Sequence, residues 1–326
     1  VSFVLTTRLA PAAEPGAREP VSWELRTVEG FRNVVRAGTE IVDADVAHSV
    51  HVQASGLEPS RWYWYRFTAG GQPSATGRTR TAPATGREEA LAFAIASCQR
   101  YDDGHYAAWR HLADEAPDLV VFLGDYIYES APRKDRARTH SGTGAAKTLD
   151  DYRARYAQYK SDADLRRIHA SAPWILTWDD HEVQNDYAND RGQDLAPDFL
   201  ARRAAAYRAW WEHMPMPPSM RPVGPDLRIH DRYDWGALAR FHVLDGRQYR
   251  DAHACPPSGR GGSTTVNAAD CPDLLRADRT ILGSAQERWL EDGLAQRDVR
   301  WNLVAQQTLM APFTWTKEGR YWTDGW

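Results

Sequence analysis

Three apolar runs in the chain are each followed at once by side chains that can bind a cation or move a proton. Cys98 follows Phe93-Ala94-Ile95-Ala96-Ser97, Gly124-Asp125-Tyr126-Ile127-Tyr128-Glu129 follows Val120-Val121-Phe122-Leu123, and Asp179-Asp180-His181-Glu182 follows Trp174-Ile175-Leu176-Thr177-Trp178. In a parallel sheet the carboxyl ends of the strands share one edge, so these polar groups are expected to converge. A thiol, a phenol, several carboxylates and an imidazole meeting there make an acidic, ligand-rich set that a divalent or trivalent metal would neutralise. Each residue alone also has an ordinary reading. A free cysteine packs like a small hydrophobe, an aspartate after glycine caps a turn, a tyrosine packs with its hydroxyl bonded, and a charged run is a solvated turn. Their coincidence on one expected sheet edge is what singles them out.

The elements that would position them change character along the chain. In the first eighty or so residues, short β-rich runs such as Pro20-Val21-Ser22-Trp23-Glu24-Leu25 and Arg61-Trp62-Tyr63-Trp64-Tyr65-Arg66-Phe67 alternate between polar and apolar, predicting a β-sandwich. Gly56-Leu57-Glu58-Pro59 followed by Tyr63 resembles the turn-then-tyrosine pattern of fibronectin type III modules. Thr81-Ala82-Pro83-Ala84-Thr85-Gly86-Arg87-Glu88 reads as a linker. This divides the chain into 1–82, a linker at 83–90, and 91–326.

From residue 91 onward strand and helix patterns alternate: a buried strand over 91–97, a helix over 103–115 and an apolar strand over 117–123, which together predict a βαβ unit and a parallel sheet. Further strands are expected at 173–178, 237–244 and 301–306. Helices are expected at 198–214, with Phe199, Arg203, Tyr207, Trp210 and Met214 on one face, and after Ser284-Ala285-Gln286-Glu287, which reads as a capping box. Residues 133–148 are polar and glycine-containing and read as a surface loop or lid.

Composition narrows the function. Of 326 residues, 42% are hydrophobic and 26% charged, which excludes disorder and a disulfide mini-protein. The formal net charge of −4 advertises no polyanion surface, so no nucleic-acid partner is expected. The longest apolar stretch, 119–123, is far too short to cross a bilayer. Cys255 and Cys271 flank a turn-rich segment, and two readings stay open for them: a bridge, which implies an oxidising compartment, or unpaired thiols in a reducing one.

Gly124-Asp125-x-x-Tyr128 resembles the GDxxY element of binuclear metallophosphoesterases, and Asp180-His181-Glu182 occupies the place of their Asn-His-Asp/Glu element. As a set, Ser97-Cys98-Gln99, Gly124-Asp125-Tyr126-Ile127-Tyr128-Glu129, Trp178-Asp179-Asp180-His181-Glu182-Val183 and Val304-Ala305-Gln306-Gln307 resemble the alkaline phosphatase D (PhoD-type) family. The match extends to Thr7-Arg8-Leu9-Ala10-Pro11 and to Leu244-Asp245-x-Arg247-x-Tyr249-Arg250. The resemblance implies a metallophosphoesterase-like α/β sandwich behind the all-β, fibronectin type III-like domain. It implies a ferric ion held by Cys98, Asp125 and Tyr128, with Asp125 bridging to a calcium site that Asp180 also serves. Thiolate and phenolate suit a trivalent ion and carboxylate oxygens suit calcium, although zinc or another divalent pair is also compatible. His181 would orient the phosphate or protonate the leaving alkoxide. Asp179, Glu182 and Asn185 would support the site from behind or contribute a polar contact.

The chemistry so implied is hydrolysis of a small phosphate ester or diester by an acidified, metal-bound hydroxide, in a secreted or periplasmic bacterial phosphatase or phosphodiesterase. A phospholipase D-like diesterase is a variant of the same reading. A non-catalytic surface-binding protein, with the amino-terminal sandwich as the working part, is the reading from a different class. Family members carry a further metal-binding Gly-Asp-x-His element downstream of Gly325-Trp326. The carboxyl-terminal part of the catalytic domain, with two ligands, is therefore expected to be missing from this sequence; taken as complete, the chain would be an inactive fragment with an incomplete site and little or no turnover, whereas a full-length product would restore both ligands.

Overall fold

The computed structural model describes residues 1–9, 18–30, 33–311, 313–314, 317 and 319–325. Ala10 and Pro11 of the amino-terminal match lie outside the described residues. The first part carries strands β1 (Phe3–Arg8), β2 (Glu19–Arg26), β3 (Val34–Val42), β4 (Ser49–Ala54), β5 (Trp62–Ala69), β6 (Gln72–Pro73) and β7 (Gly77–Arg80). β1 pairs with β4, while a second antiparallel sheet runs β3-β2-β5-β6 with β7 also on β5. Alternation along the strands turns Val21 and Leu25, Val50 and Val52, and Tyr63 and Phe67 into one core shared by both sheets. The Tyr63 hydroxyl accepts a hydrogen bond from the Glu58 amide at 3.0 Å, a tyrosine corner that locks the preceding turn. The stretch read as a linker is pinned: Thr81 is buried, and the Arg87 carbonyl accepts from the Ala237 amide at 2.8 Å.

The second part begins with β8 (Phe93–Ala96), α1 (Ala107–Glu115), β9 (Leu119–Phe122), α2 (Leu149–Tyr159), α3 (Ala163–His169), β10 (Trp174–Leu176) and α4 (Phe199–His213). It continues with β11 (Asp231–Trp235), β12 (Ala239–Val243), β13 (Thr265–Val266), α5 (Gly283–Ala295), β14 (Trp301–Ala305) and β15 (Tyr321–Trp322). One sheet is β10-β9-β8, all parallel; another is β11-β12-β14, with β12 and β14 parallel, and β13 pairs antiparallel with β15.

Residues of β9 serve two cores in turn. Leu119 and Val121 pack with Ile175 against Phe241, Val243 and Ala305 of the other sheet, whereas Val120 and Phe122 pack among Trp109, Tyr156 and Trp210 of the helices. Burial on both faces explains why this strand reads as an unbroken apolar run. The face of α4 carrying Phe199, Arg203, Tyr207 and Trp210 is buried as expected, and Trp178 stacks on Tyr207 with ring centroids 4.0 Å apart.

Three expectations need correction. β8 is not buried: among the described strands it pairs with β9 alone, and Phe93 and Ile95 remain 36% and 63% exposed. The Ser284 box does not cap α5: the helix begins at Gly283 with Leu282 as its N-cap, and the Thr280 hydroxyl accepts from the amides of Leu282 and Gly283 while bonding Glu287. Residues 133–148 do not form a free lid. Arg133 bonds Asp102, Arg138 bonds Asp162 and covers Tyr101, and His140 is buried. Cys255 and Cys271 are joined by a disulfide.

Candidate metal centre

Hydrogen bonds beyond the ends of the parallel strands hold the three chemistry-bearing loops side by side. The Cys98 and Gln99 amides donate to the carbonyls of Gly124 and Asp125, each at 3.1 Å, and the Thr177 amide donates to Phe122 at 3.0 Å. The loops cross with no spare room at Gly124, whose φ is 103° and where a Cβ would sit 2.3 Å from the Asp179 amide nitrogen. Cys98 and Asp125 both have φ of 58°, the left-handed region that costs a side-chain-bearing residue about 1–2 kcal/mol. Such strain persists where the surroundings over-determine it.

The over-determining group here is Glu182. Its buried carboxylate accepts from three backbone amides, those of Asp125 at 3.1 Å, Tyr126 at 2.5 Å and Asp179 at 2.9 Å. It thus ties the loop after β9 to the loop after β10.

In front of this clamp, ligand atoms of Asp125, Asp180 and His181 lie within 4.8 Å of one another. The Tyr128 hydroxyl donates to the second oxygen of Asp125 at 2.8 Å, and the Cys98 thiol lies close enough to interact with both Asp125 and Tyr128. His181 faces the Tyr128 ring at 4.1 Å and bonds Glu129 through Nδ1 at 2.7 Å. The other Glu129 oxygen accepts from the Asn185 amide at 2.8 Å. The Arg100 guanidinium also lies over the Tyr128 ring, 4.7 Å from its centroid.

The electrostatics are those of crowded negative charge. Burial, then the neighbouring Asp180 and Asp179 carboxylates, push Asp125 well above the usual carboxylate range. Cys98 is exposed as a residue, but partial desolvation of its thiol and the Asp125 charge beside it push the thiol up to about 12, and burial and Asp125 raise Tyr128. Burial works against a charged His181, but Asp180, Glu129 and Asp125 outweigh it and raise the imidazole to about 10.

A second polar layer lies behind. Arg247, fully buried, donates through Nε to Asp179 at 2.5 Å and through both Nη atoms to Asp324 at 2.8 and 2.7 Å. Arg250 and His253 also bond Asp324, at 2.8 and 2.7 Å. Atoms of Asp186, His253 and Asp324 fall within one 4.8 Å group, but Asp324 is already matched by two guanidinium groups.

Cys98, Asp125, Tyr128, Asp180 and His181 thus converge. Asp179 turns to Arg247, Glu182 serves the backbone, and Asn185 offers its amide to Glu129. Sequence reasoning gave no role to Glu129, Arg247 or Asp324. Glu129 had a signal, since it closes the same motif as Asp125. Asp324 had none, because its partners lie 71 to 77 residues away.

The PhoD-like phosphatase family matches residues 93–326, and its N-terminal domain matches residues 1–83. The chain belongs to the PhoD-like phosphatase family. It is 44% identical over 341 residues to alkaline phosphatase D of Bacillus subtilis, in an alignment taking in 100% of this chain and 57% of that relative. A solved PhoD structure superposes with a TM-score of 0.90 at 44% identity, covering 100% of this chain and 63% of its own. The chain therefore spans less than two thirds of the length of these PhoD-like relatives. The purple acid phosphatase PPD1 of yellow lupin (Lupinus luteus) shares the fold at a TM-score of 0.56 and 13% identity, over 97% of this chain and 50% of that one.

Proposed function

We propose that this protein is a metal-dependent phosphoric ester hydrolase with a metallophosphoesterase-like centre. In this reading Cys98, Asp125 and Tyr128 hold one cation, and Asp125 and Asp180 share a second. The supporting observation is the donor set itself: buried carboxylates repel one another more than the neighbouring His181 imidazole offsets at Asp125, and a thiol and a phenol stand beside them. Such a set is satisfied by metal ions, the sulfur and phenolate suiting Fe3+ and the carboxylate oxygens suiting Ca2+. A bound pair would supply neutralisation of phosphoryl charge and an acidified water.

The remaining steps belong to side chains of this chain. Glu129 fixes the His181 ring through Nδ1, which leaves Nε2 to hold a proton for the departing alkoxide. Arg247 is committed to Asp179 and Asp324, so it orients Asp179 rather than meeting substrate. Arg100, braced by Asp102 and Ser130, holds the Tyr128 ring in place. Small phosphomonoesters and phosphodiesters both fall within this chemistry. Export to an oxidising compartment is part of the proposal, supported by the Cys255–Cys271 bridge. Among the described residues no helix is long and apolar enough to cross a membrane.

The test is metal content together with hydrolysis of p-nitrophenyl phosphate and bis-p-nitrophenyl phosphate by the purified protein. Cys98→Ser and Asp125→Asn are expected to lose metal and hydrolysis together, and the loaded parent to show a tyrosinate-to-iron band in the visible. Undiminished metal content and turnover in Asp125→Asn would refute the assignment.

A further inference from the structure

A cavity of about 860 Å³ lies between the amino-terminal sandwich and the α/β part. It is bounded by β1 on one side and by the α2–α3 turn, the start of β10 and the segment after α4 on the other. Leu119 and Trp174, in its wall, are the first residues of β9 and β10, so it opens at the end of the sheet opposite Asp125.

The wall combines apolar surface with cations that make no ion pair, alongside the carboxylates Glu212, Asp231 and Asp234. Leu5, Leu165, Met216 and Phe241 give it an apolar body. Arg8, Lys160 and Arg166 also line it, and among the described residues none of the three has a carboxylate within ion-pair distance. Of the wall's carboxylates, Glu212 is already bonded by Arg153 and Arg208, Asp234 is bonded by Arg240, and Asp231 is exposed. Lys160 donates only to the His213 carbonyl, and it and Arg8 repel one another across the wall. Burial, then Arg8, lowers the Lys160 ammonium to about 7, while Arg8 donates to the Ala47 carbonyl at 2.9 Å, and an anion placed between the two side chains favours the charged form of the lysine. Two further donors in the wall, Trp174 Nε1 and Nε2 of the 95%-buried His213, have no hydrogen-bond partner among the described residues. Lys160 meets the His213 carbonyl, and Arg8 lines the same wall.

We propose that this interdomain cavity binds an amphiphilic anion: one carboxylate or phosphoryl head seated among Arg8, Lys160 and His213, with an apolar body along Leu5, Leu165 and Met216. The proposal is independent of the metal centre. The cavity does touch that centre's framework, since His169 in its wall stacks on Trp174 at 4.0 Å and bonds the Tyr126 hydroxyl at 2.8 Å.

Calorimetric titration of the purified protein with dodecanoate, dodecylphosphonate, dodecanol and inorganic phosphate, below micelle-forming concentrations, tests it. At least one of the two amphiphilic anions is expected to bind one per chain, with dodecanol and inorganic phosphate about tenfold weaker or more, the effect of losing one charged or one apolar set of contacts. The tighter of the two anions identifies the head. Lys160→Met is expected to weaken that anion by a similar factor. Leu165→Trp, which fills the cavity and leaves every charge in place, is expected to block it, so the outcome does not depend on one variant folding. No binding of either anion would overturn the proposal. So would dodecanol or inorganic phosphate binding as tightly as the anions, or binding unchanged in both variants.

Discussion

Replacing Glu182 with glutamine keeps the shape of the side chain and removes half of its function. The Oε2 position accepts from the amides of Asp125 and Asp179, and Oε1 from that of Tyr126. The glutamine oxygen best takes the two-bond position, which turns its NH2 toward the Tyr126 N–H. One charge-assisted bond is then lost, at about 2 kcal/mol, and a buried donor is left facing another donor, at a further 1 to 3 kcal/mol. The expected destabilisation of Glu182→Gln is therefore about 3 to 5 kcal/mol, a fall in melting temperature of roughly 6 to 20 °C for a domain of this size. Because the broken bond lies next to Asp125, metal uptake should fall as well, which an ordinary core substitution would leave unchanged. Thermal unfolding followed by circular dichroism and metal analysis of the same sample give both readouts. A variant that melts with the parent and loads metal equally would refute the idea that this carboxylate fixes the two loops.

Gly124→Ala combines a positive φ with a Cβ driven into the Asp179 backbone, and is expected to cost more than about 3 kcal/mol, measured as loss of soluble yield or of melting temperature. Cys255→Ser with Cys271→Ser should lower stability by about 3 kcal/mol in urea unfolding, because the bridge closes a loop of 16 residues in the unfolded chain. Tyr63→Phe removes the hydroxyl that the Glu58 amide meets and should cost about 1 kcal/mol, seen as earlier unfolding of the amino-terminal sandwich.

The edge of the parallel sheet was legible because three apolar strands end abruptly in ligand-type residues, and a shared strand direction forces those ends together. The doubly buried β9 was legible for the same reason, as Val120, Val121 and Phe122 leave no polar face. What escaped depends on contacts remote in sequence. Arg247 meets Asp324 only because the segments that follow β12 and β15 are brought together, and nothing local marks Asp324 as a buried anion. The exposure of β8 follows from which strands lie beside it, a matter of sheet order that alternation along one strand does not report. The α5 cap was misjudged because Ser284 and Glu287 have the right spacing, while Thr280 reaches the same first turn from outside it.

The contact between Gly124 and the Asp179 backbone has a consequence for how substrate choice can diversify on this scaffold. With two peptide planes in mutual contact there, neither loop can grow at that point without pushing the ligand-bearing residues apart. Insertions that reshape the approach to the centre are confined to the stretches farther along each loop, past Glu129 on one side and past Asp186 on the other. Divergence in specificity should accumulate in those outer stretches while the crossing keeps its length.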